Sequence, residues 1–81
     1  MDTVPWNDQA TLMVFEAAGD GPPNGHVSLV GSLNACVEAA ARNPVATSRI
    51  RWMNIFLNDG SRAYDARDIA MLARDPARPP L

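Results

Sequence analysis

The chain has 81 residues, of which nine are acidic and seven basic, and its formal net charge at pH 7 is −2. That length favours one compact domain with a small core and a narrow margin of stability. All seven basic residues are arginines, and the absence of lysine excludes Schiff-base catalysis and a lysine-dependent phosphate loop.

The sequence offers few ways to reinforce so small a domain. Cys36 is the only cysteine and His26 the only histidine, so an intramolecular disulfide is excluded and a structural zinc site lacks its four ligands. We expect no metal and no cofactor. Association with a protein partner, most simply a second copy in a homodimer, is the remaining common source of stability.

Composition also predicts where the protein is found. No run approaches the roughly 20 apolar residues that span a bilayer, and the N-terminal residues "MDTVPWNDQ" lack the pattern of a secretory signal. We therefore predict a cytoplasmic protein that does not contact a membrane. The abundance of alanine, arginine and proline is typical of a GC-rich bacterial genome.

The first half of the chain predicts two strands and a helix. Residues 11–17, "TLMVFEA", mix β-branched and aromatic residues over a strand length, although a helix capped by Asn7 or Asp8 is the alternative. Residues 19–25, "GDGPPNG", exclude a helix or a central strand, and residues 26–30 predict a second strand beside the first.

Ser32 is the predicted N-cap of a helix over residues 33–42. Its predicted inward face follows helical spacing: Leu33, Cys36, Val37, Ala40 and Ala41. Asn34, Glu38 and Arg42 fall on the predicted outer face, where the last two are spaced for an ion pair.

The second half predicts a hairpin and a second helix. Asp59-Gly60 favours a type I′ turn that pairs Leu57 with Arg62, Phe56 with Ala63 and Ile55 with Tyr64. Asp65 is the predicted N-cap of a helix over residues 66–74, with Asp68 adding a second acid in its first turn.

Together these elements predict an α+β fold with an antiparallel sheet and the order β1 β2 α1 β3 β4 α2. We assign residues 1–76 to one domain and residues 77–81 to an extended tail with little order. The two halves each read strand, strand, helix and end in "ARNP" and "ARDP", so a repeat of two ββα units is a possible interpretation.

The third strand is apolar on both faces. Ile50, Trp52, Asn54 and Phe56 share one face, which we predict to be the core face against the first helix. The opposite face and its hairpin partner form the candidate interface: Arg49, Arg51, Met53, Ile55, Leu57, Arg62 and Tyr64. Either the second helix covers this set or a protein partner does, because arginine, tyrosine and methionine around an aliphatic centre are typical of interfaces.

The sequence gives little support for catalysis or metal binding by its candidate residues. His26 lacks partners for catalysis, Cys36 is predicted to be buried, and Asp65 and Asp68 are explained by capping. The prediction is therefore a small non-enzymatic protein that acts through protein contacts, as a homodimer or as a regulatory or adaptor subunit.

Nucleic-acid binding is the alternative function. Residues 42–81 hold all seven arginines, and Arg49, Arg51, Arg62 and Arg67 are the candidate contacts with phosphates. The net negative charge and the separation of the arginines from Trp52 on the strand weigh against it.

Overall fold

Two hairpins, each followed by a helix, make up most of the part of the chain that the structure describes. The computed structural model describes residues 3–18, 21–42 and 50–80, except for the side chains of residues 17, 18, 23 and 50–52. The elements are β1 (Gln9–Ala18), β2 (Gly21–Ser32), α1 (Leu33–Arg42), β3 (Ile50–Leu57), β4 (Ala63–Tyr64) and α2 (Ala66–Ala73). The predicted α+β class and the predicted order of elements are confirmed.

The four strands form one antiparallel sheet in the order β2-β1-β3-β4. The two central strands, β1 and β3, come from different halves of the chain, and each carries its own hairpin partner on the outside. Sheet and helices thus place two ββα units side by side, the arrangement that the faint sequence repeat indicates. The units differ in size, since β2 has 12 residues and β4 only two.

Strand β2 is longer than the predicted residues 26–30, because the proline- and glycine-rich segment from Gly21 onward belongs to it. Proline lacks a backbone N–H and is tolerated in a strand only where that N–H would face away from the ladder. β2 lies at the edge of the sheet, which is where prolines at positions 22 and 23 fit. For residues 21–25 the structure thus has neither a helix nor a central strand, as the sequence predicts, and residues 19 and 20 lie outside the described residues.

Backbone and side-chain contacts fix the start of each helix as the sequence predicts. Ser32 Oγ accepts a hydrogen bond from the Ala35 amide over 3.1 Å at the start of α1. Asp65 and Asp68 form a reciprocal capping box at the start of α2, in which Asp65 Oδ1 accepts from the Asp68 amide over 2.9 Å. Both helices are thereby capped by their own residues.

The β3–β4 hairpin has the predicted register but not the predicted turn. Ile55 pairs with Tyr64 and Phe56 with Ala63. A type I′ turn needs positive φ at both central residues, yet Gly60 has a φ of 78° and Asp59 has none in that range. The Asp59 carboxylate instead accepts a hydrogen bond from the Ser61 amide over 2.8 Å, which holds this L-residue in an unstrained conformation.

Both helices pack on one face of the sheet, and this corrects the predicted core. The buried strand residues are Ala10, Leu12, Val14, Met53, Ile55, Leu57 and Tyr64, under Leu33, Cys36, Val37, Ala40, Ile69 and Leu72 of the helices. The prediction that Asn54 and Phe56 lie on the core face is wrong. Register explains the difference, because Leu12 pairs with Ile55 and β1 thus adds aliphatic residues to the face that β3 alone left ambiguous.

Candidate functional site

The predicted interface residues on β3 and β4 lie inside the domain. Met53, Ile55, Leu57 and Tyr64 are each at most 5% exposed, since α1 and α2 cover them. The sequence allows the second helix or a protein partner as the cover of this face. The structure contains α2 as a cover and adds α1, which the sequence places on the opposite face. Buried in this way, the four side chains are not accessible to a partner.

The three arginines of the predicted interface have different places. Arg49 lies outside the described residues, as does the side chain of Arg51. Arg62 is exposed, and its guanidinium carbon lies 5.0 Å from the centre of the Tyr64 ring. This is a cation–π contact at the border of the core, so Arg62 has a structural role in covering a buried ring.

The other face of the sheet carries an apolar surface that the sequence analysis did not identify. We define the open face by eight described side chains opposite the helices: Thr11, Met13 and Phe15 on β1, Val27 and Val30 on β2, Asn54 and Phe56 on β3, and Ala63 on β4. The uncharged Asn58 reaches the edge of this face, where its Oδ1 accepts a hydrogen bond from Thr11 Oγ1 over 2.6 Å. Val27, Val30 and Phe56 are 53%, 56% and 38% exposed. None of the side chains in this set is charged.

Rows of paired residues run across the open face. Thr11 lies between Val30 and Phe56, and Met13 lies between Val27 and Asn54. Met13 belongs to a central strand and lies in the middle row, so it marks the centre of the surface. The solvent side of a half-buried antiparallel sheet is normally polar, which makes this uncharged surface unusual for a water-facing one.

Phe15 and Gly25 form the far row of the open face. They pair in the register of β1 and β2, and the Phe15 ring lies over the glycine so closely that a Cβ at position 25 would come within 2.6 Å of Phe15 Cε1. Gly25 thus leaves the space that the Phe15 ring occupies. The ring extends the apolar surface towards this end.

A polar cluster joins α1 to the C-terminal residues. Arg78 donates from Nε to Asn34 Oδ1 over 2.9 Å and from Nη2 to a Glu38 carboxylate oxygen, and Glu38 also accepts from Arg42 Nε over 2.9 Å. These hydrogen bonds, that of Arg78 first and that of Arg42 second, hold the pKa of Glu38 below its ordinary range. The predicted Glu38–Arg42 ion pair is confirmed.

A cleft of about 410 Å³ opens beside this cluster, and it is lined by Glu38, Arg42, Asp75, Arg78, Pro79 and Pro80. Three of its charged groups already bind one another, because Arg78 and Arg42 both donate to Glu38. Arg78 also donates to Asn34 and to the Ala73 carbonyl, and the Asp75 carboxylate accepts from the Ala77 amide over 2.9 Å. The structure therefore differs from the expected loose tail: residues 78 and 79 are fastened to α1. Asn34, placed by the sequence on the outer face of α1, is buried beneath them.

The surroundings of Cys36 and His26 do not favour a catalytic role. Cys36 is fully buried in the core, and burial raises the pKa of its thiol, the opposite of what a nucleophile needs. His26 is exposed on the edge strand β2, opposite Val14. Within the described residues, no group of three or more histidine, cysteine or acidic side chains could hold a metal ion.

Among the described residues, one buried polar side-chain atom has no hydrogen-bond partner. The Tyr64 hydroxyl makes no hydrogen bond in the described part of the chain, and burial raises its pKa, with the Arg62 charge acting in the opposite direction. A buried hydroxyl without a partner can bind a buried water molecule where further polar groups surround the same position. The described contacts bring no such group within hydrogen-bond distance.

Comparison with known proteins adds no relationship. No protein-family model matches the chain, and neither a curated protein nor a solved structure is similar to it. Among the described residues, the structure has no helix both long enough and apolar enough to cross a membrane. Any functional proposal therefore rests on the surfaces described above.

Proposed function

We propose that this chain is a small non-enzymatic protein that acts through protein–protein contacts, with the open face as its contact surface. One observation carries the proposal: Val27, Val30 and Phe56 are large, exposed and apolar on a face whose described side chains include no charge. Contiguous exposed apolar surface marks interaction sites, and the centres of interfaces are depleted of charged residues.

The side chains that were candidates for catalysis support the non-enzymatic part of the proposal. Asp65 and Asp68 hydrogen-bond each other's backbone amides as a helix cap, and Cys36 packs in the core. Each has a structural task that accounts for it. A regulatory or adaptor subunit and a homodimer are both consistent with this proposal, and the cytoplasmic location stays a prediction.

Nucleic-acid binding is not favoured by any described contact. Phosphate binding requires cations on the surface that meets the backbone, whereas the described open face has none. Arg62 lies over Tyr64 on the helix side of the sheet, and Arg67 is exposed on α2. Since these side chains share no surface with the exposed aromatic Phe56, stacking and phosphate contact would not be made together.

A pair of charge substitutions tests the proposed surface. Phe56→Glu places a charge on the open face, and Met71→Glu places the same charge on α2, where Met71 is 67% exposed. We expect the wild-type chain in a native extract of its source cells to elute as a species larger than its 8.7 kDa. Phe56→Glu should shift it to the monomer position, and Met71→Glu should not.

The folded state of each variant is checked by circular dichroism and thermal unfolding. A wild-type chain that elutes as a monomer in the extract would contradict the proposal. So would a complex whose size is the same with Phe56→Glu as with Met71→Glu.

A further inference from the structure

We propose that the partner of the open face is a second copy of this chain, packed sheet against sheet. This inference rests on the proposed function and names its partner. In a twofold dimer both copies contribute the same patch, so residues near the axis meet their own counterparts. Any charge near the centre of such a patch would face a like charge.

The neutrality of the open face is the property that a self-complementary contact needs. The chain has 16 acidic and basic residues in 81, yet the described side chains of the open face are all uncharged. A face that met a different protein could carry charges matched by opposite charges on that protein. A face that meets its own copy cannot match charges in this way at its centre, so the centre has to be uncharged. Met13 and Thr11, which lie at the centre of the open face, are uncharged.

The size of the face fits a modest dimer. β1 has ten residues, and a rise of about 3.3 Å per residue makes it roughly 33 Å long. Three strands at a spacing of about 4.8 Å then give a flat area of roughly 470 Å² per copy. Two copies would bury on the order of 1,000 Å², which is the lower limit for a specific interface. An interface of this size belongs with the small, weak class of specific contacts.

Sheet packing supplies the geometry of the contact. Face-to-face sheets lie about 10 Å apart with their strands nearly aligned, and the open face has its exposed side chains on both sides of the central strand β1. A twofold axis that passes over Met13 brings the two Met13 side chains together. The flanking Val27, Val30 and Phe56 then fill the space between the sheets, as inward-facing side chains do in a β-sandwich.

The first test measures the mass of the purified full-length chain by light scattering across a dilution series. We expect a monomer–dimer equilibrium whose dissociation constant rises by roughly 30-fold or more in Phe56→Glu, the change expected for an interface anchor. Met71→Glu should leave the constant unchanged. Because the interface lacks charge, the constant should also change little between low-salt and high-salt buffer.

The second test asks whether the two copies meet at Met13. Met13→Cys is treated with a short bifunctional thiol cross-linker, with Ala41→Cys, exposed on α1, as the matched control. The wild type reports the background, since Cys36 is fully buried. We expect covalent dimers from Met13→Cys and monomers from the other two.

The outcomes separate this inference from the proposed function. A purified monomer at all concentrations would overturn the second copy as partner; the proposed function would stand if the extract still held a larger complex sensitive to Phe56→Glu. A dimer that dissociates in high salt, or that cross-links through Ala41→Cys alone, would place the contact elsewhere and overturn the inference. A monomer in both purified protein and extract would overturn both proposals.

Discussion

The side-chain amide of Asn34 donates a hydrogen bond to the backbone carbonyl of Pro79 over 2.8 Å. Asn34 Oδ1 accepts from Arg78 at the same time, and the residue is only 4% exposed. A buried amide whose donor and acceptor are both used connects the first turn of α1 to the end of the chain. This contact and those of Arg78 attach residues 78 and 79 to the helix.

Replacing Asn34 should therefore weaken the whole domain. Asn34→Ala leaves the Pro79 carbonyl and Arg78 Nε without their partner, and we expect a loss of about 1–3 kcal/mol in the free energy of unfolding. Urea unfolding followed by circular dichroism measures it. Asn24→Ala, at an exposed position on β2, is the matched control and should change stability little. Equal losses in the two variants would mean that the tail contact contributes nothing.

Neighbouring residues on β3 should differ strongly in how much stability their truncation costs. Ile55 is fully buried between β1, β4 and the helices, so Ile55→Ala should cost about 2–5 kcal/mol by leaving a cavity. Phe56 points to the open face, and Phe56→Ala should cost much less in dilute protein. Urea unfolding at the lowest usable concentration measures both. A larger loss at Phe56 would mean that the core lies on the other side of the sheet.

Gly25 and Phe15 should be coupled energetically. Gly25→Ala puts a methyl group into the space under the Phe15 ring, and displacing the ring should cost about 1–3 kcal/mol. In a Phe15→Ala background the same substitution has room and should cost little. A double-mutant cycle from four unfolding curves gives the coupling energy. A coupling near zero would contradict the close approach of ring and glycine.

Acid should weaken the contact between α1 and the tail. The pKa of Glu38 is lowered by the hydrogen bonds from Arg78 and Arg42, whereas the same carboxyl in the unfolded chain titrates at about 4.3. A carboxyl with a depressed pKa adds stability above its unfolded pKa, and this stability is lost as pH falls through the folded pKa. We expect the stability of the wild type to fall in that acidic window.

Glu38→Gln removes the titrating group and should reduce this loss, while being less stable than the wild type at neutral pH. Unfolding curves in urea at a series of pH values provide the measurement. Glu16→Gln, which changes a carboxyl outside the cluster, is the control and should keep the acid dependence of the wild type. If both variants lost stability in parallel with the wild type, Glu38 would not be the responsible group.

Local signals in the sequence were sufficient for the order of the elements, the helix starts and the hairpin register, although not for the start of β2. Ser32, Asp65 and Asp68 specify helix starts through hydrogen bonds within four residues, and Asp59-Gly60 specifies the hairpin register, so each can be predicted from its neighbours. The type of turn could not be predicted, because the Asp59 side chain bonds the Ser61 amide and competes with the backbone conformation that the dipeptide favours.

The faces of the sheet depend on pairing between distant strands. β3 taken alone has apolar residues on both faces, and only the pairing of Leu12 with Ile55 and Val14 with Met53 makes one face continuous and aliphatic. No local pattern specifies that β1 is the neighbour of β3. For the same reason the open face could not be predicted: Val27 and Val30 join Phe56 on one surface only through β1. The contacts of Arg78 are equally non-local.

Because β1 pairs with β3 at the centre of the sheet, the first half of the chain cannot complete the sheet until the second half has been synthesised. Ala10 contacts Leu57, so the middle of the sheet closes a long loop, and pairing of this kind slows folding relative to local hairpins and helices. On the ribosome, the first hairpin and α1 emerge before β3 exists. During that interval β1 presents an unpaired edge and an uncovered apolar surface, which makes the nascent first half the stage most exposed to aggregation.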